Sequence, residues 1–77
     1  MQTKTKVQIH EIQRAGLASL IATAGTKAHL AKMLEVDSMV VHGWCSRCRV
    51  SKKGVLLIER HPELSLHFSR EDLRPDM

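Results

Sequence analysis

Between Lys27 and Ser46 the chain reads KAHLAKMLEVDSMVVHGWCS, a helical apolar pattern written twice and interrupted once, around Glu35 and Asp37. Thr26 and Asp37 are both good N-caps, so the spacing predicts two short amphipathic helices on either side of a tight turn. Helices this short are marginal by themselves and hold only when their apolar faces share a core. Their crossing needs a small residue in the first helix, and Ala31 supplies it. Leu30, Leu34, Val36, Val41 and Trp44 stand where apolar contacts are required around it. The expected unit over residues 27–46 is a helix-turn-helix. The turn position after Leu34 is often Gly because it takes a positive φ; here it is Glu35, at an expected cost of about 1 kcal/mol.

The flanking segments extend the helical reading. Leu17, Leu20, Ile21 and Ala24 follow the i, i+3, i+4, i+7 rule in a helix starting as early as His10, and Gly25 stops it as a left-handed C-cap. Ser51 caps a further helix in which Val55 and Ile58 face inward beside Leu56 or Leu57, until Pro62 prevents continuation. Ser69 and Asp72 have capping-box spacing ahead of Leu73, which predicts one last turn before Pro75. The two ends alternate instead. Thr5, Val7 and Ile9 oppose Lys4, Lys6, Gln8 and His10, while Leu64, Leu66 and Phe68 interleave with Ser65, His67 and Ser69. That pattern fits a short terminal β ribbon, or else a flexible leader over residues 1–11 and an extended tail. The fold class expected is mainly α, four to five helices around one core, because 77 residues form a single domain over 1–77.

Charge is unevenly placed. Lys and Arg number 12 against 8 acidic residues, but from Cys45 to Arg60 there are five basic residues and one acid, and from His61 onward two basic residues and four acids. The middle of the chain is therefore a positive face, which favours a polyanionic partner. Lys52 and Lys53 sharpen this: cations in the first turn of a helix oppose its dipole at up to about 1 kcal/mol each, unless an anion docks there. With Arg47 and Arg49 just upstream, and Lys27 at the start of the earlier helix, these five residues are candidate contacts to DNA phosphates.

The second helix of the pair divides cleanly by angle. With Ser38 at the origin, His42 falls near 40°, Ser46 near 80° and Met39 near 100°, whereas Val40, Trp44 and Val41 fall between roughly 200° and 300°. Ser38, Met39, His42 and Ser46 are thus the candidate base-reading face, able to hydrogen-bond base edges or to lie against a thymine methyl group. None of them brings the bidentate geometry of Arg or Gln, so backbone contacts and DNA shape are expected to carry much of the discrimination. Trp44, the single tryptophan, belongs to the inner face as a core anchor.

Other chemistry is not indicated. Cys45 and Cys48 form a lone C-x-x-C that His42 extends to H-x-x-C-x-x-C, but there is no second paired motif to complete a zinc site and no thioredoxin-like strand pattern for redox work. Free thiols are expected. No nucleophile and base pair is recognisable, so the expectation is no enzyme, no cofactor, no metal and no small-molecule substrate. No apolar run reaches the roughly 18 residues of a bilayer span, and the start lacks a signal-like core, which predicts a cytoplasmic, nucleoid-associated protein without membrane contact.

From about Leu17 onward the chain resembles the Cro-like regulators of the YdaS family of phages and prophages. The resemblance rests on AGTKAHLAKMLEV, on Val41 to Trp44 followed by an arginine-bearing turn, on VLLIER at Val55 to Arg60, and on the closing SREDLRPDM. It implies a lambda-repressor-like helix-turn-helix and a transcriptional repressor that occupies a pseudo-palindromic double-stranded operator, with Ser38, Met39 and His42 presented to the bases. A homodimer, at least on DNA, is expected because two half-sites combine their affinities. Two departures stand out: where relatives carry a turn like RGRVP, this chain has Cys48 in place of Gly and Ser51 in place of Pro. The alternative function is an antitoxin-type or protein-interaction module of a toxin–antitoxin pair.

Overall fold

In the computed structural model, which describes residues 5–76, five of the six helices begin behind a Thr, Asp or Ser N-cap, the short one behind Glu63 being the exception. Helix α1 spans Lys6–Ala24, α2 Lys27–Met33, α3 Ser38–Arg47, α4 Lys52–Arg60, α5 Leu64–His67 and α6 Arg70–Leu73. Gly25 closes α1 with φ 99°, and the hydroxyls of Thr26 and Ser51 accept hydrogen bonds from the amides of His29 and Gly54. Asp37 caps α3 by accepting from the Met39 amide at 2.9 Å. Each satisfies one of the orphan donors that a helix start leaves open.

No strand occurs among the described residues, so the terminal ribbon is corrected at both ends. At the N-terminus Thr5 and Gln8 form a reciprocal capping box, at 2.9 and 3.2 Å, and the chain is helical from Lys6. The alternation of Val7 and Ile9 misleads there because this end of α1 buries little, leaving Val7 67% exposed. The part of the leader that falls on residues 1–4 lies outside the described residues. At the C-terminus Leu64 and Phe68 are both buried, four residues apart, while Leu66 is 79% exposed. An i, i+4 pair on a single helical turn accounts for all three as well as alternation does.

Helix α1 packs against α2 and α6, α2 against α3, and α4 against α5 and α6. Leu17, Leu20, Leu30, Val41, Trp44, Val50, Val55, Ile58, Leu64 and Leu73 join in one apolar cluster. Gly16 allows α1 and α6 to touch: a Cβ there would collide with the backbone carbonyl of Asp72, which cannot swing aside. No helix among the described residues is long and apolar enough to cross a membrane.

The tail is tied back through polar groups that periodicity does not reveal. Among the described residues Gln13 and Arg74 are the buried polar ones, Arg74 at 7% exposure. The Arg74 guanidinium donates to both carboxylate oxygens of Asp76, at 2.9 and 2.6 Å, and to the Val50 carbonyl at 3.4 Å. Gln13 donates to the same carboxylate at 2.9 Å. One charge pair therefore joins α1, the segment between α3 and α4, and the C-terminal residues, and no buried side-chain polar atom among the described residues lacks a partner. Outside, Arg70 holds Glu59 with two donors at 3.0 and 3.2 Å, fastening α6 to α4.

Candidate nucleic-acid interface

Helix α2 ends in a Schellman arrangement, with the Val36 amide reaching back to the Ala31 carbonyl at 2.9 Å and Glu35 in the left-handed region at φ 57°. The non-glycine turn expected at Glu35 is thus present, and its strain is set against two satisfied carbonyls. Helix α3 ends in the same way: Cys48 has φ 57° and the Arg49 amide donates to the Trp44 carbonyl at 3.1 Å. Cysteine here occupies a conformation that favours glycine, which turns the chain sharply enough to bury Val50 directly after Arg49.

Trp44 joins α3 to α4. Its ring is 2% exposed, and its indole N–H donates to the Ser51 hydroxyl at 3.2 Å, the same oxygen that caps α4. Gly54 gives the ring room, since a Cβ on it would overlap the indole and would stand 2.7 Å from Val50 Cγ1. The orientation of the α4 N-terminus relative to α3 is therefore fixed by aromatic packing plus one shared hydroxyl.

Around this joint the anticipated helical faces separate. Leu30, Ala31, Leu34, Val41 and Trp44 are buried and Val36 is half-buried, while Ser38, Met39, His42 and Ser46 are exposed, Met39 at 70%. One residue departs from the angular reading: Val40, placed on the inner face, is 41% exposed. It sits at the edge of the apolar arc, in the first turn of α3.

The cations divide into groups. Arg47, Arg49, Ser51, Lys52 and Arg74 line one open cleft of about 470 Å³ between the end of α3 and the start of α4. Lys53 is exposed beside it but outside its lining, and Lys27 is exposed at the start of α2, apart from the cleft. Arg74 is not a free cation: hydrogen bonds to Asp76 and its charge raise the guanidinium pKa and hold the Asp76 carboxyl far below the usual carboxylate range, against the opposing pull of burial. Among the described residues the ion pairs are Arg70 with Glu59 and Arg74 with Asp76, so Arg47, Arg49, Lys52, Lys53 and Lys27 have no carboxylate partner there. An uncompensated cationic cleft at a helix N-terminus is suited to an anion.

Cys45 packs against the core and Cys48 is exposed, both as free thiols. No group of three or more His, Cys, Asp or Glu gathers as a metal site among the described residues.

The family model described as Bacterial toxin YdaS matches residues 17–77. This chain belongs to the YdaS family. The matched region takes in α2, α3, α4 and the closing Arg74–Asp76 pair, and it leaves out the first turns of α1. No curated protein and no solved structure matches the chain significantly. For this YdaS-family protein the features that sequence reading missed are Gln13, Asp76 and the burial of Arg74. Closing LRPD was visible as a motif, but its partners lie up to 63 residues away along the chain.

Proposed function

We propose that this protein is a sequence-specific DNA-binding regulator of the Cro-like kind, which lays α3 in the major groove of an operator and holds the flanking phosphates with its cationic cleft. The observation that carries this reading is the exposed row Ser38, Met39, His42 and Ser46 on a helix whose opposite face is locked by Trp44, beside Arg47, Arg49 and Lys52, which have no carboxylate partner among the described residues. Serine and histidine offer hydrogen bonds to base edges, methionine offers an apolar contact to a thymine methyl group, and arginine and lysine fix the register. With so few base-directed groups on one helix, binding is expected from two copies on a pseudo-palindrome, one helical turn between half-site centres. No cofactor, metal or small-molecule substrate enters this reading, and the protein would work on the bacterial chromosome or a resident prophage.

Binding of labelled duplexes over a range of salt separates the two kinds of contact. Lys52→Ala is expected to weaken binding to every sequence alike and to flatten the plot of log K against log salt by about one. His42→Ala is expected to change the preference among sequences and leave the slope in place. If both variants lose affinity equally on all duplexes, α3 is not the reading helix.

The family description and the exposed pair Met39 and Val40 favour a second reading, a protein-interaction module in a toxin–antitoxin pair. Heparin chromatography discriminates: a protein-directed module would elute at low salt, whereas the DNA-binding reading expects retention that falls steeply as salt rises.

A further inference from the structure

A second cationic cleft lies on the other side of Cys48. It has a volume of about 200 Å³ and is lined by His10, Gln13, Arg14, Arg47, Cys48 and Arg49, with no carboxylate in the lining. His10 and Arg14 are four residues apart on α1, so one helical face presents both. They precede Leu17, where the family match begins. Arg47 and Arg49 line this cleft and also the one beside Ser51 and Lys52, which makes the cations a continuous band from the N-terminus of α4 to the middle of α1.

We propose that His10 and Arg14 form, together with Arg47 and Arg49, a second site for the sugar-phosphate backbone of duplex DNA, so that the α1 segment ahead of the family-matched region widens the footprint of this protein. Three guanidinium groups converging on one cleft repel one another, and Arg14, Arg47 and Arg49 form no ion pair among the described residues. A phosphodiester relieves that repulsion and accepts bidentate hydrogen bonds from a guanidinium. Duplex DNA fits better than an isolated anion because the two clefts share a wall: successive phosphates along a strand can occupy neighbouring basic sites, whereas a single small anion would leave half the band unneutralised. One of the two Gln13 amide N–H groups is held by Asp76. The tie from Asp76 through Gln13 also fixes this turn of α1 against the segment that carries Arg49, so the site is preorganised.

This site rests on the DNA-binding reading, and the test keeps the two apart. Full-length protein is titrated with labelled duplexes of unrelated sequence between 50 and 200 mM salt. Arg14→Gln is expected to weaken binding to every duplex and to reduce the salt slope by about one, so that the affinity lost by wild type over that fourfold range exceeds the variant's loss by about threefold to fourfold. Arg14→Lys, which keeps the charge, should restore the slope. Arg14 is exposed, and an unchanged thermal melt of both variants shows that the readout is binding and not folding. If wild type binds with a salt-dependent affinity and Arg14→Gln keeps the full slope, the α1 site is wrong and the operator reading stands. If Arg14→Lys loses the slope as fully as Arg14→Gln, charge at this position is not the cause and the site is again wrong. A wild-type protein that shows no salt-dependent binding overturns both.

Discussion

Trp44→Ala is expected to lower the melting temperature by at least about 12 °C, measured by circular dichroism, because the loss is large against what a domain this small possesses. Removing a buried tryptophan side chain costs about 3–5 kcal/mol, and a chain of this length has roughly 4–12 kcal/mol in total. Local relaxation offers little relief. The wall facing the indole is Gly54, which has no side chain to move into the space, and Val50 beside it is already fully buried. The vacated volume should therefore remain largely a cavity. Trp44→Phe is a smaller change: it keeps one aromatic ring, loses the outer indole atoms that face Gly54, and loses the N–H donated to Ser51, whose oxygen still accepts from the Gly54 amide. That variant should lose about 1–2 kcal/mol. An alanine variant melting within a few degrees of wild type would mean that Trp44 does not anchor α3 to α4, and the presentation of Ser38 and His42 would lose its support.

How much of this was legible in the sequence follows from the range of the interactions involved. Thr26, Asp37 and Ser51 act on amides two or three residues ahead of them, so their helix starts could be read directly. Gly25 and the Ser69–Asp72 box are equally local. The division of α3 into an exposed row and a buried Val41–Trp44 face follows from helical geometry alone, and it failed at Val40, an edge position that angle by itself does not assign to the core. At the N-terminus the local signals are the Thr5–Gln8 capping box and the half-buried Ile9 and Ile12, which continue the face of Gly16 and Leu20 at helical spacing, a pattern that the Val7–Ile9 alternation masks. Leu64 and Phe68 were compatible with either period, since a four-residue separation suits a strand face as well as a helix turn. The cationic cleft was half legible. Arg47, Arg49 and Lys52 stand close together along the chain, but the approach of His10 and Arg14 requires the packing of α1, and that packing depends on Gly16 and on Asp76.

Asp76→Asn is expected to destabilise the protein by about 2–3 kcal/mol near neutral pH, and the difference from wild type should vanish toward strong acid. Breaking a deeply buried pair costs about 3–5 kcal/mol, because the surviving charge is left without compensation; the loss is smaller at Asp76, whose side chain is 30% exposed, because water can reach part of the site. Arg74 cannot escape by losing its proton, and with an amide in place of the carboxylate it keeps one neutral acceptor oxygen of the two, beside the Val50 carbonyl at 3.4 Å. The pH dependence has a definite sign. Asp76 has a folded-state pKa well below the ordinary aspartate value of about 3.9, so the fold binds the carboxylate form more favourably than the unfolded chain does. Its contribution is fully present above about pH 5, where both states are ionised, and it decays as pH falls below the ordinary value toward the depressed one. Urea unfolding of wild type and Asp76→Asn at a series of pH values from 7 down to 2 should therefore give two curves that converge on the acid side. Parallel curves would show that the Arg74–Asp76 pair forms too loosely to be felt by the fold, and the tail would then not be what holds α1 and the basic segment around Arg49 together.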